Sequence, residues 1–265
     1  MSEFTRLENK VIWITGASSG LGKQLAIDAA AAGAVLVLLA RNEAKLKEVQ
    51  QVIQENSGQA HIYTLDISKP EDIEASVKNI VEKVQRVDIL INNAGFGVFD
   101  YADRMNISDT KEMFDVNVLG LIEMTRAVLP LMKKANQGHI INVASQAGKL
   151  ATPKSSVYAA TKHAVLGYTN ALRLELEDTN IHVTAVNPGP IRTPFFDRAD
   201  EDGSYVANIE KFMLDPEYVS NEILKVIEKP TREINLPKWM GFGSKLYQLM
   251  PGVVEKLAGS KLRQK

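Results

Sequence analysis

Cysteine is absent from all 265 residues of the chain, which excludes disulfides, thiolate nucleophiles and cysteine–zinc centres. Histidine is scarce. His61, His139, His163 and His182 lie scattered, without the spacing of a ligand set, so no metal site is expected. The formal net charge is only -1, which argues against a general nucleic-acid binder. No apolar run approaches the length that spans a bilayer. Met1 to Leu7 lack the basic-then-apolar pattern of a secretory leader, so a cytoplasmic protein is expected. What remains is ordinary globular composition, 45% hydrophobic and 24% charged, with no internal repeat or low-complexity tract.

Short apolar runs alternate with longer helical patterns along the chain. Val11-Ile12-Trp13-Ile14, Val35 to Leu39, His61 to Leu65, Asp88 to Ile91, Ile140 to Val143, Ile181 to Val186 and, last, Glu233 to Leu236 read as strands. Between them lie a helix from Lys23 to Ala32 stopped by Gly33, and a charged one from Glu43 to Glu55. A third is opened by Pro70, and a long pattern, capped by Ser108-Asp109-Thr110, reaches Lys134 with an interruption around Asn117 and Gly120. Such alternation predicts an α/β fold: a doubly wound parallel sheet of seven strands, with helices on both faces, in a single domain.

Three features point to chemistry. Thr15-Gly16-Ala17-Ser18-Ser19-Gly20-Leu21-Gly22 links the first strand to the first helix. Glycines there let the backbone approach a pyrophosphate, and the helix N-terminus offers free N–H groups. At the end of the second strand stand Arg41 and Asn42, with the first acid, Glu43, two residues past the arginine. A guanidinium suits the 2′-phosphate of NADP better than the free hydroxyl of NAD, so NADP(H) is the preferred cofactor and NAD(H) the alternative. Third, Ser145 follows a buried strand, and Tyr158 and Lys162 share one face of the helical pattern Val157 to Leu176. A hydroxyl, a phenol and an ammonium can then converge. A lysine cation near a phenol favours the phenolate and lowers its pKa towards neutrality.

With these motifs in order, the chain resembles the compact short-chain dehydrogenase/reductase family over about residues 8 to 195. The resemblance implies cofactor contacts at Gly16, Ser18, Ser19, Gly20, Leu21, Gly22, Arg41, Asn42, Asp66 and Ile67. It implies others at Asn93, Ala94 and Gly95 of the Asn-Asn-Ala-Gly motif, at Tyr158 and Lys162, and at Pro188, Gly189, Ile191 and Thr193 beside the nicotinamide. It makes Asn117, Ser145, Tyr158 and Lys162 the catalytic tetrad. Tyr158 exchanges a proton with the substrate oxygen, Ser145 positions that oxygen, Lys162 tunes the tyrosine, and Asn117 holds a relay water. The implied reaction is hydride transfer between NADP(H) and a small-molecule carbonyl or secondary alcohol, in a homodimer or homotetramer. A nucleotide-sensing or interaction protein without catalysis is the alternative on the same fold.

Residues 1–237 are expected to form the nucleotide-binding and catalytic domain, with a substrate lid at about 189–220. The lid carries Phe195, Phe196, Tyr205, Phe212 and Met213 beside a polar run from Asp197 to Gly203. Its bulk favours an apolar ketone or aldehyde, though the same residues serve equally as lid packing. Residues 238–265 form a distinct extension. Trp239, Phe242, Leu246, Leu249, Met250, Val253, Val254 and Leu257 make an apolar stripe near helical spacing, divided by Pro251-Gly252. Lys238, Lys245, Lys256, Lys261, Arg263 and Lys265 surround it against one acid, Glu255. Two readings stand: a helix pair that caps the cleft or meets another subunit, or a basic amphipathic segment that rests on an anionic membrane.

Overall fold

The computed structural model describes residues 7–200 and 203–256. Residues 1–6, Glu201 and Asp202 of the lid, and Leu257, Lys261, Arg263 and Lys265 of the basic stripe lie outside the described residues.

Seven strands form one parallel sheet: β1 (Val11–Thr15), β2 (Val35–Ala40), β3 (Gln59–Thr64), β4 (Ile89–Asn92), β5 (Gly138–Val143), β6 (Ile181–Pro188) and β7 (Glu233–Leu236). Their order is β3-β2-β1-β4-β5-β6-β7. The chain winds outward from β1 to β3, then returns to lay β4 on the other flank of β1. That reversal opens a crevice beyond the strand ends between β1 and β4, where ligands settle in open α/β sheets.

The helices that join these strands cover both faces. Alternation within each strand sorts the side chains. Ile12 and Ile14 of β1 point to the same layer as Leu36, Leu38, Ile89 and Ile91. Over them lie α1 (Gly20–Ala31), α2 (Glu43–Glu55) and α9 (Pro216–Glu228), which bring Leu25, Leu46 and Ile223. Val11 and Trp13 point the other way, with Val37, Leu39 and Leu90, under α3 (Pro70–Val84), α5 (Leu121–Ala135) and α6 (Ser156–Glu175). On α3 the buried residues are Ile73, Val77 and Ile80, one stripe at helical spacing.

Several boundaries differ from the sequence expectation. The first helix starts at Gly20 instead of Lys23, because its opening turn is part of the glycine-rich segment itself. Asn106, not Ser108, caps α4 (Ile107–Phe114): its side-chain oxygen accepts from the Ser108 amide at 2.9 Å. The expected interruption is a π-helical turn, Asp115–Gly120, between α4 and α5. A Cβ on Gly120 would stand 2.5 Å from the Ile67 carbonyl oxygen, so glycine lets this turn approach the loop after β3. β6 runs past the expected end at Val186: Asn187 and Pro188 continue it and pair with Asn235 and Leu236 of β7. The segment expected to form the lid comprises α7 (Phe195–Ala199), α8 (Ser204–Ile209) and a 3-10 turn, Glu210–Phe212. Residues 216–220 begin α9, where Val219 and Ser220 are buried. The C-terminal stripe lies on α10 (Lys238–Leu249) and a further helical turn at 251–256.

His139 on β5 is buried, with Nε2 2.9 Å from the Thr184 hydroxyl and its ring edge-on to His182 at 5.9 Å. Burial, then the nearby His182, pushes its pKa down from 6.5 to about 3. Between those values the unfolded chain binds a proton that the fold refuses, so stability falls as pH drops from about 6.5 towards 3. Each pH unit in that window is expected to cost about 1.4 kcal/mol through this one group. Denaturant unfolding at pH 6 and pH 5 should show the loss, and His139→Gln should flatten it; an equal slope in the variant would refute the assignment.

Candidate active site

The crevice holds a cavity of about 790 Å³. One end is built by the turn between β1 and α1. Gly16 and Gly20 have φ of +67° and +52°, in the left-handed region that glycine adopts without strain. A Cβ on Gly16 would lie 2.9 Å from the Ala94 Cα, so the turn after β4 is pressed against the first turn. Thr15 and Asn93 lock the two together. The Thr15 hydroxyl accepts from the amides of Asn93 and Ala94, each at 3.0 Å, and the Asn93 side-chain amide donates to the Thr15 carbonyl at 2.9 Å. Ser19, at the N-cap of α1, makes no side-chain capping bond, and the first turn carries no acid. The N-terminal amides of α1 therefore face the cavity with a partial positive charge, a cradle that fits a diphosphate.

Gly16, Ser18, Ser19, Gly20, Leu21, Arg41, Asn42, Asp66, Ile67, Asn93, Ala94, Gly95, Pro188, Gly189, Ile191 and Thr193 all line the cavity, as do Ser145, Tyr158 and Lys162. Gly22 does not. A Cβ there would meet the Gly16 carbonyl oxygen at 2.3 Å and Asn93 Nδ2 at 2.5 Å, so this glycine seats the helix against its own turn. At the outer end, Asp66 accepts from the Ser68 hydroxyl and amide at 2.7 and 3.1 Å. Partial burial alone would raise its pKa, but these bonds, with Arg41 and Lys69 nearby, hold it below the usual carboxylate value.

The inner end is set by β5 and α6. Ser145 stands at the end of β5, its hydroxyl accepting from the Ala147 amide at 3.0 Å. Tyr158 and Lys162 occupy successive turns of α6, and Lys162 Nζ lies 5.8 Å from the Tyr158 ring centre. The ammonium donates to the Val143 carbonyl at 2.9 Å. The electrostatics differ from the sequence expectation. Burial dominates, raising the Tyr158 phenol well above 10 against a smaller lowering by the Ser145 hydrogen bond, and it lowers Lys162 to about 8. In the protein alone, burial disfavours the charged form of both groups. The phenol is thus fully protonated, and its raised pKa makes it a weaker acid than an exposed tyrosine, so its proton leaves only for an oxygen more basic than itself.

Asn117 is placed differently from a cavity residue. It is buried on the π-helical turn, outside the lining, with both of its side-chain polar atoms hydrogen-bonded. Its oxygen accepts from the Phe96 amide at 3.0 Å, and its amide donates to the Phe96 carbonyl at 2.8 Å and the Thr161 hydroxyl at 3.2 Å. It thereby holds the turn after β4 against α6. A second brace is a buried polar ladder below the strand ends: Asn92 donates to Thr125 and to Asn142, and Asn142 to Thr169, each at 2.9 Å. Polar residues inside an apolar strand were its only trace in the sequence.

Sequence reasoning missed Phe99, Gln146 and Arg198, all of which line the cavity. Phe99 packs edge-on against Tyr158 at 5.8 Å and Tyr205 at 4.8 Å, joining the post-β4 loop to the lid. Gln146 donates to the Asn187 carbonyl at 2.8 Å. Arg198, on lid helix α7, stacks its guanidinium 3.9 Å from the Phe96 ring centre and forks onto Glu112 of α4, at 3.1 and 2.5 Å. Glu112 also lies 3.7 Å from Arg41, so the lid and the Arg41 end of the cavity share one carboxylate. Among the described residues, no group of three or more His, Cys, Asp or Glu is placed to hold a metal ion.

A glycine turn on a helix N-terminus, an Asn-bridged second turn, and a Ser, Tyr and Lys converging on one cavity agree with the relationship seen in comparisons. The family model described as short chain dehydrogenase matches residues 10–203. The chain belongs to the short-chain dehydrogenase family. A mouse dehydrogenase/reductase SDR family member 7B is 34% identical over 97% of this chain and 83% of its own length. An NADP-dependent 3-hydroxy acid dehydrogenase of Schizosaccharomyces pombe is 39% identical over 72% of this chain and 75% of its own. Among solved structures, a short-chain dehydrogenase/reductase from Burkholderia phymatum in complex with NAD superposes with a TM-score of 0.85 at 25% identity, covering 93% of this chain and 95% of that one. The seven-stranded doubly wound sheet is thus the fold of this family of oxidoreductases in a single domain.

Proposed function

We propose that this chain is an NADP(H)-dependent oxidoreductase that interconverts an apolar ketone or aldehyde and its alcohol. The carrying observation is the convergence of Ser145, Tyr158 and Lys162 at one end of a cavity whose other end is a phosphate cradle. When bound, the nicotinamide supplies or accepts the hydride. The protein's own groups do the rest. Tyr158 gives its proton to the carbonyl oxygen as that oxygen gains charge, and takes it back in the reverse direction. Ser145 holds the oxygen in place. Lys162 sets the electrostatics beneath the phenol, and Asn117 positions the turn after β4. Phe99, Phe195, Phe196 and Tyr205 wall the reacting end and favour an apolar substrate.

Preference for NADP(H) rests on Arg41, which lines the outer end where an acid would serve NAD, and is in keeping with the NADP dependence named for the yeast relative. Exposed Leu119 and Leu174, beside α5 and on α6, suit the homodimer or homotetramer that the family resemblance implies. The test is NADPH and NADH oxidation followed by absorbance, against ketones and aldehydes graded in size and polarity. Turnover with NADPH well above NADH, rising with apolar size, is expected. Tight NADPH binding with no turnover across the panel would replace this reading with nucleotide sensing.

A further inference from the structure

Twelve large apolar or aromatic side chains stand exposed among the described residues, and seven belong to one patch: Phe212, Trp239, Phe242, Leu246, Leu249, Met250 and Val253. Four of these (239, 242, 246 and 249) recur at steps of three and four, one stripe along α10, and Val253 follows on the next helical turn, past the break at Met250. Phe242 is 74% and Leu249 80% exposed. The opposite face of α10 is already used. Gly241 and Ser244 are buried, and a Cβ on Gly241 would lie 2.5 Å from the Asn235 Cβ, so the helix is laid flat on β7 with its apolar stripe outward.

The patch is continuous with the cavity. Trp239 and Phe212 meet edge-on at 6.2 Å, and both line the cavity while remaining more than half exposed. They form an aromatic lip. Exposed lysines flank it: Lys211, Lys238, Lys245 and Lys256. The acids alongside are engaged, Glu255 with the Tyr247 hydroxyl at 3.0 Å and Glu210 with Arg192 at 3.7 Å.

We propose that the apolar face of α10 and the Phe212–Trp239 lip dock on an anionic lipid surface, so that the cavity opens at the membrane interface and draws a lipid-soluble carbonyl from it. This rests on the reductase reading above and specifies where its substrate resides. Apolar and aromatic residues ringed by lysines match the chemistry of a helix lying in the plane of an anionic bilayer. Among the described residues no helix is long and apolar enough to cross one, so docking is peripheral. A second copy of the chain fits worse. An isologous contact through this stripe would bring the flanking lysines of both copies to one seam and close the mouth that Trp239 and Phe212 frame.

The structure supplies its own reporter, because the other tryptophan, Trp13, is fully buried. The full chain with NADPH is titrated with vesicles of phosphatidylcholine, with and without phosphatidylserine. Expected are co-sedimentation and a blue shift of Trp239 emission on the serine-containing vesicles, weakened by salt. The double variant Leu246→Glu/Leu249→Glu, whose two positions lie outside the cavity lining, should lose both signals yet reduce a water-soluble ketone at the normal rate. Wild-type KM for a long-chain ketone carried in those vesicles should fall by about tenfold against the variant. An unchanged Trp239 spectrum with no sedimentation, while the soluble ketone is still reduced, would overturn the docking and leave the reductase reading standing. So would a wild-type oligomer that the double variant dissociates without any vesicle binding. Loss of all carbonyl reduction in the wild type would instead sink the reductase reading.

Discussion

Tyr158→Phe is expected to lower carbonyl turnover by about 10²–10⁴-fold, the usual contribution of a positioned acid–base group, while NADPH binding stays nearly unchanged. The phenyl ring is retained, so the edge contact with Phe99 at 5.8 Å and the tilted contact with Phe195 at 5.6 Å survive. Only the hydroxyl goes, along with its hydrogen bond to Ser145. The phosphate cradle lies at the other end of the cavity and loses nothing. Turnover is read from NADPH oxidation with the best ketone of the panel, and affinity from quenching or enhancement of NADPH fluorescence. A variant that turns over at the wild-type rate would remove Tyr158 from the chemistry.

Lys162→Met should separate activity from stability. Lys162 is 5% exposed, and burial brings its pKa from 10.5 to about 8. That drop corresponds to about 3 kcal/mol against the buried cation. Methionine keeps the length of the stem without the charge, at the cost of the bond to the Val143 carbonyl. Turnover is therefore expected to fall by about 10²-fold or more, as for loss of an electrostatic group in the site, with the melting temperature at pH 7 held or raised. The sign with pH follows. Between about 8 and 10.5 the unfolded wild type keeps a proton that the fold has released, so wild-type stability rises with pH across that window. The variant lacks this rise. If Lys162→Met melted far below the wild type at pH 7 and kept its turnover, the lysine would be a structural cation and the assignment would fail.

Much of this was legible along the chain. Seven strands could be counted from short apolar runs because a parallel sheet buries both faces, and alternation alone then sorts Ile12 and Ile14 from Val11 and Trp13. Tyr158 and Lys162 could be paired because a helix places residues four apart on one face. The glycine turn could be read because a strand before it and a helix after it leave few other uses for Gly16 and Gly20. Cap positions were less secure. Asn106 and Ser108 are both good caps, and local sequence does not say which of them the helix will use.

Composition and period, being local, determined the class of fold, the strand count, the phosphate turn and the helix that carries Tyr158. Tertiary structure decided what depends on residues far apart in the chain. It put Gly22 against Gly16 and Asn93 instead of in the cavity, and turned Asn117 onto Phe96 and Thr161. It joined Arg198 of the lid to Glu112 and, through it, to Arg41. It also made burial the main influence on the Tyr158 phenol, because a pKa depends on the dielectric of the folded site, and no spacing of residues along a chain specifies how much water that site excludes.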